Sequence, residues 1–183
     1  IMDAPSCMKY GKDVFVNTKG AGNRLGFQWL QRMFGDTYNF NEINNDKIIG
    51  HLDSQLTILR PGLLLTFHDR YTLPSYFKDW DIIKADATTD RRISSQQTLL
   101  DSRIQDSDFA NTVLCVNCLS IDRNTVVMWD HYKNNTNMIK QLEKKDIEIV
   151  FVPLTYSHFF NQGVTCLTLE LHRETPEGLV SYL

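Results

Sequence analysis

Apolar and polar positions repeat along this chain with two periods, and the switches between them mark its elements. Alternation, or a short apolar run bounded by turn residues, predicts strands at Asp13–Asn17, Tyr38–Ile43, Ser54–Leu59, Leu63–Phe67, Asp81–Ala85, Thr112–Ile121, Thr125–Trp129 and Glu148–Val152. The helical period predicts a helix near Asn23–Phe34, with Leu25, Trp29, Met33 and Leu30 turned to the core and Gly35 as its stop. A second helix, Thr136–Lys144, spaces Met138, Ile139 and Leu142 helically and ends in lysines, where the helix dipole favours cations. Tyr76–Asp79 reads as a short helix, and the Arg60-Pro61-Gly62 turn joins its flanking strands into a hairpin. Strand, strand, helix, strand recurs at least twice, a crude repeat of ββαβ units of about 60 residues each. This is the pattern of an α/β or α+β domain.

Composition narrows the class. The 183 residues suit one domain or at most two small ones, with 42% hydrophobic and 22% charged residues as in ordinary globular proteins. A net charge of −3 and the lack of any long basic run argue against nucleic acid as a partner. The apolar runs are strand-sized, so no membrane helix is expected, and Ile1–Pro5 shows neither a basic leader nor a long apolar core. Four cysteines are too few for a stapled scaffold and point to reduced thiols in an intracellular compartment. Cys115 and Cys118 have the spacing of a redox or zinc pair, yet they lie within an apolar run and read as packed core residues. Gly20–Gly26 lacks the order of a phosphate loop and reads as a turn into the first helix, so no cofactor is expected. The polar stretch 86–108 reads as a lid or surface crossing.

Three places carry residues able to do chemistry. Alternation along a strand would put His51 and Asp53 of Gly50-His51-Leu52-Asp53 on one side, although composition alone favours an exposed pair on a strand edge. A turn entering a strand, Asn161–Thr168, would present Cys166 at the strand's start, or simply bury a small residue. Asp3, in Met2-Asp3-Ala4, is a possible third member or a solvated terminal carboxylate.

These segments, together with Gly11–Phe15, Asn23–Leu30, Arg60–Leu65, Asp69-Arg70, Gly163–Thr168 and Glu170–Arg173, occur in the order in which the amidinotransferase family carries similar ones. The chain resembles that family essentially end to end, matching about the C-terminal half of a typical member. The resemblance implies an α/β fold, a partial propeller of ββαβ modules of the pentein-like, guanidine-modifying type, with the site in a central channel. It implies Cys166 as nucleophile, His51 as general acid/base, Asp3 as the carboxylate supporting that histidine, Asp53 as a clamp on the guanidinium and Arg70 as a holder of a substrate carboxylate, without metal or cofactor. Arginine would give its amidino group to Cys166 and then to an acceptor amine. A missing N-terminal half or a protein partner would complete the fold, and eukaryotic relatives suggest a mitochondrial address. Two alternatives stay open: a deiminase-type hydrolase with the same residues, and a catalytically degenerate structural subunit of a larger assembly.

Overall fold

The computed structural model describes residues 2–86, 114–154 and 162–168. Among them the chain forms three three-stranded sheets on one plan, an antiparallel hairpin followed by a strand that returns parallel to the hairpin's second strand. The first comprises β1 (Cys7–Tyr10), β2 (Asp13–Asn17), helix α1 (Arg24–Phe34) and β3 (Asn39–Ile43). The second comprises β4 (Leu56–Arg60), β5 (Leu63–Thr66) and β6 (Asp81–Lys84), and the third β7 (Leu119–Ser120), β8 (Thr125–Trp129), α2 (Thr136–Glu143) and β9 (Glu148–Val152). A parallel return needs a crossover segment. Helices α1 and α2 provide it in the outer modules, whereas in the middle one the 3-10 turns Arg70–Thr72 and Ser75–Phe77 do so, where a short helix at Tyr76–Asp79 is predicted.

The middle sheet lies between two cores. Leu63, Leu65 and Ile83 point into a cluster with Val126, Met128, Met138 and Leu142 of the third module, while Leu64, Leu56 and Ile58 point into one with Phe15, Ile43 and Phe77. Burial on both faces explains why Leu63-Leu64-Leu65 is an unbroken apolar run, and each such leucine contributes about 2 kcal/mol by leaving water. Arg60 ties the modules further, donating to the main-chain carbonyls of Arg123 at 3.1 Å and Lys145 at 2.8 Å.

Two sequence expectations need correction. The predicted strand over Thr112–Ile121 shrinks, within the described residues, to β7. Residues 114–118 are buried as expected but turned back on themselves, the Asn117 N–H donating to the Leu114 carbonyl at 3.0 Å. Cys115 and Cys118 pack as thiols in the core, and burial pushes the Cys118 thiol up to about 12. The second correction concerns α1. Asn23 caps it, its Oδ1 accepting from the Gly26 N–H at 2.9 Å, but Leu25, Trp29 and Met33 are 76%, 55% and 56% exposed. The helix rests on Phe27 instead, which meets the Phe40 ring edge to face. Both stripes have helical spacing, and period alone does not say which one a sheet will cover. Most of the polar stretch, 87–108, lies outside the described residues. No helix among the described residues is long and apolar enough to cross a membrane.

Candidate active site

The segment before His51 is held by a buried carboxamide. Asn17, fully enclosed at the end of β2, donates from Nδ2 to the carbonyls of Ile48 (3.0 Å) and Gly50 (2.8 Å) and accepts from the Lys19 N–H at 3.0 Å. Gly20 passes so close to this segment that an added Cβ would lie 2.6 Å from the Gly50 nitrogen, and its φ of +105° suits glycine. We expect Gly20→Ala to cost about 2 kcal/mol or more, measured as a lower urea midpoint with unchanged slope, because it combines backbone strain with overpacking against main chain.

After Gly50 the chain does not continue as the predicted strand. His51 is extended, but Leu52–Ser54 is a 3-10 turn, with Leu52 fully buried and both the Ser54 N–H and hydroxyl donating to the His51 carbonyl. The turn therefore leaves His51 just before it and Asp53 at its middle, each with its own partner. His51 Nε2 lies 2.9 Å from Asp3 Oδ2, both side chains being partly open to solvent. Ser6 donates its hydroxyl to the other Asp3 oxygen, and the Ser6 N–H bonds the Asp3 carbonyl, so the 3-10 turn Ala4–Ser6 fixes the carboxylate that orients the ring. Beside it, burial first and the Asp3 charge second push the Cys7 thiol up to about 11.

Asp53 faces the chain's last described turn. Its Oδ2 accepts from Asn117 Nδ2 (3.2 Å) and Thr165 Oγ1 (2.8 Å) and lies 3.7 Å from Cys166 Sγ. Its Oδ1 is buried and meets no hydrogen-bond partner among the described residues. An ionised carboxylate oxygen so placed is a strong acceptor for a planar cation's N–H. Cys166 is the middle residue of the 3-10 turn Thr165–Leu167, not the first of a strand, and its residue surface is exposed. Although the side chain reaches solvent, loss of water around the sulfur raises its pKa most. The Asp53 charge adds to the rise, while the Gly163 N–H and Asn117 oppose it. The resting group is thus a thiol that a cation docked against Asp53 would help to ionise.

Arg70 is placed differently. Its Nη groups donate to the main-chain carbonyls of Phe77 (3.4 Å), Lys78 (2.6 Å) and Trp80 (2.8 Å), which shapes the crossover of the middle module. The structure therefore pairs His51 with Asp3 and Asp53 with Cys166, and engages Arg70 in its own loop. Asn117 and Thr165 were not among the candidates read from sequence. A lone carboxamide inside the apolar run around Cys115 and Cys118 is the signal that could have found Asn117, since a buried polar side chain needs partners.

No protein-family model matches the chain. Inosamine-phosphate amidinotransferase 1 of Streptomyces griseus is 27% identical over 180 residues, covering 97% of this chain and 48% of that protein. L-arginine:L-lysine amidinotransferase of Pseudomonas savastanoi pv. phaseolicola is 28% identical over 185 residues, 99% of this chain and 46% of its own. The solved structure of SxtG, an amidinotransferase of saxitoxin biosynthesis from Microseira wollei, matches with a TM-score of 0.75 and 28% identity over 99% of this chain and 47% of that one. Dimethylarginine dimethylaminohydrolase of Pseudomonas aeruginosa shares the fold, at a TM-score of 0.65 and 14% identity over 89% of this chain and 53% of that one. The chain spans about half the length of the curated relatives it matches. In sequence along nearly its whole length, and in its α/β fold of small mixed sheets, the chain is related to the amidinotransferase family.

Proposed function

We propose that this chain carries the nucleophile-bearing part of an amidinotransferase site, moving an amidino group from arginine to an acceptor amine through an amidino-cysteine. The observation that carries this reading is the convergence of Asp53 and Cys166, 113 positions apart in sequence, around a buried carboxylate oxygen with no protein partner among the described residues. A guanidinium is a flat cation stabilised by resonance. Addition to its carbon requires a carboxylate to hold its plane and a thiolate to attack.

In this reading Asp53 accepts guanidinium N–H groups, the docked cation favours the thiolate, and the Cys166 proton passes to His51, directly or through solvent. The thiolate forms a bond to the central carbon, giving a tetrahedral intermediate. As the carbon–nitrogen bond to the side-chain amine breaks, His51 delivers a proton to that nitrogen, with Asp3 steadying the imidazolium, and ornithine leaves. The acceptor amine then adds to the amidino carbon, His51 takes its proton, and the carbon–sulfur bond breaks to return the thiolate. Arg70 serves the neighbouring loop in this scheme, since its Nη groups are engaged by main-chain carbonyls.

The three modules are read as part of a pentein-like propeller, corresponding to the C-terminal portion of the relatives. Further polypeptide, continuing this chain or on another, would cover the exposed Leu25, Trp29 and Met33 stripe and complete the channel. A second reading, guanidine hydrolysis, draws on the fold shared with the dimethylarginine hydrolase. Incubation of the complete protein with labelled arginine separates them: ornithine formed only when an acceptor amine is present supports transfer, and citrulline means hydrolysis. Neither product, in a protein with its partners present, would leave the degenerate structural subunit.

A further inference from the structure

We propose that Asn117 is a positioning residue of this site, one carboxamide that fixes the Asp53 carboxylate and the Cys166 sulfur in register and leaves Asp53 Oδ1 as the oxygen offered to substrate; this rests on the reading of Cys166 as nucleophile. Asn117 is 1% exposed and uses both ends of its amide. Nδ2 donates to Asp53 Oδ2 at 3.2 Å and to Cys166 Sγ at 3.7 Å. Oδ1 accepts from the Thr165 N–H at 2.9 Å and lies 2.8 Å from the Thr165 hydroxyl. It thereby joins three parts of the chain that sequence keeps far apart.

The chemistry selects a carboxamide. Its nitrogen carries two hydrogens, one for each acceptor, and its oxygen holds the turn on which Cys166 sits. Aspartate of the same shape would set an acceptor against Asp53 and the sulfur, and leucine would fill the volume with no donor. Gly163 completes the arrangement from the other side, since a Cβ there would lie 2.3 Å from Asn117 Oδ1 and 2.4 Å from its Cγ. With Oδ2 of Asp53 held by Asn117 and Thr165, the carboxylate cannot rotate to satisfy Oδ1, which stays an open acceptor. The donor to sulfur favours the thiolate in each half of the cycle and offsets part of what Asp53 does to it.

The test follows iodoacetamide alkylation of Cys166 against pH in the complete protein, resolved from Cys7, Cys115 and Cys118 by peptide mass, with an unfolding midpoint for each variant. Asn117→Leu is expected to raise the midpoint of the alkylation profile by about one pH unit, roughly a tenfold loss of thiolate at neutral pH. Asn117→Asp, which keeps the shape and the acceptor to Thr165, should shift it at least as far, whereas a residue needed only for packing would be rescued by it. Should the leucine variant fail to fold, the aspartate variant gives the answer. An unshifted profile in a folded variant overturns the proposal whatever turnover does. A shifted profile in a protein that never acts on arginine keeps the positioning role and rejects the amidinotransferase reading instead.

Discussion

Cys166→Ala is expected to abolish consumption of labelled arginine by either route, with no ornithine and no citrulline, while the unfolding midpoint stays where it was. The two halves of this expectation have separate causes. Removing the atom that forms the covalent intermediate leaves no chemical path, a loss on the order of 10⁴-fold or more in kcat. Cys166, by contrast, is exposed on a 3-10 turn, and among the described residues its sulfur has weak contacts to Asn117 and Asp53 and a bond from the Gly163 N–H, so its loss should change stability by no more than about 0.5 kcal/mol. Mass spectrometry of the wild type quenched during turnover should find an amidino group on Cys166 and on none of the other three cysteines. Unchanged arginine turnover in the alanine variant would reject Cys166 as nucleophile and with it the proposed function.

The parts of the fold legible in the sequence are those that one period fixes. β2, β8 and β9 occupy the residues that alternation or a short apolar run assigned, Asp13–Asn17, Thr125–Trp129 and Glu148–Val152, and the parallel pairs β2–β3 and β8–β9 keep them in register along their whole length. β1 was not predicted. It is four residues long, half-buried, and closed by a tight turn at Gly11, where φ is 58°. The inward side of α1 was misread because Leu25, Trp29 and Met33 are as regular as the stripe containing Phe27. At the site, the residue types of His51, Asp53, Asp3 and Cys166 were visible, and the family resemblance put Asp3 beside His51, but the residue pattern alone did not give the pairing. A two-residue alternation suggested that His51 and Asp53 lie on one side of a strand and share a pocket. The 3-10 turn at Leu52–Ser54 gives one to Asp3 and the other to Cys166. Asn117 was hidden for a physical reason: a polar residue in an apolar run looks like a defect until Asp53, 64 positions before it, and Cys166, 49 positions after it, supply its partners.

Asp53→Asn should move three measurements in directions that no general damage to the fold would produce together. Arginine turnover falls, by on the order of 100-fold in kcat/KM, because a charge-assisted contact with the guanidinium becomes a neutral one and the amide must turn to present its oxygen. Reactivity of the resting thiol rises. Burial is the largest cause of the elevated Cys166 pKa and remains, but the neighbouring negative charge, which raises it further, is gone. The pKa therefore drops, and the alkylation rate of Cys166 begins its climb at lower pH than in the wild type. Stability holds or improves, since the variant no longer keeps a charged group with one buried oxygen unpartnered among the described residues, while the oxygen facing Thr165 is retained. A site that loses activity while its nucleophile grows more reactive and its fold no weaker is one in which the carboxylate serves the substrate rather than the protein. Slower alkylation, or an unchanged KM for arginine, would place Asp53 among the structural residues and remove the guanidinium clamp from the mechanism.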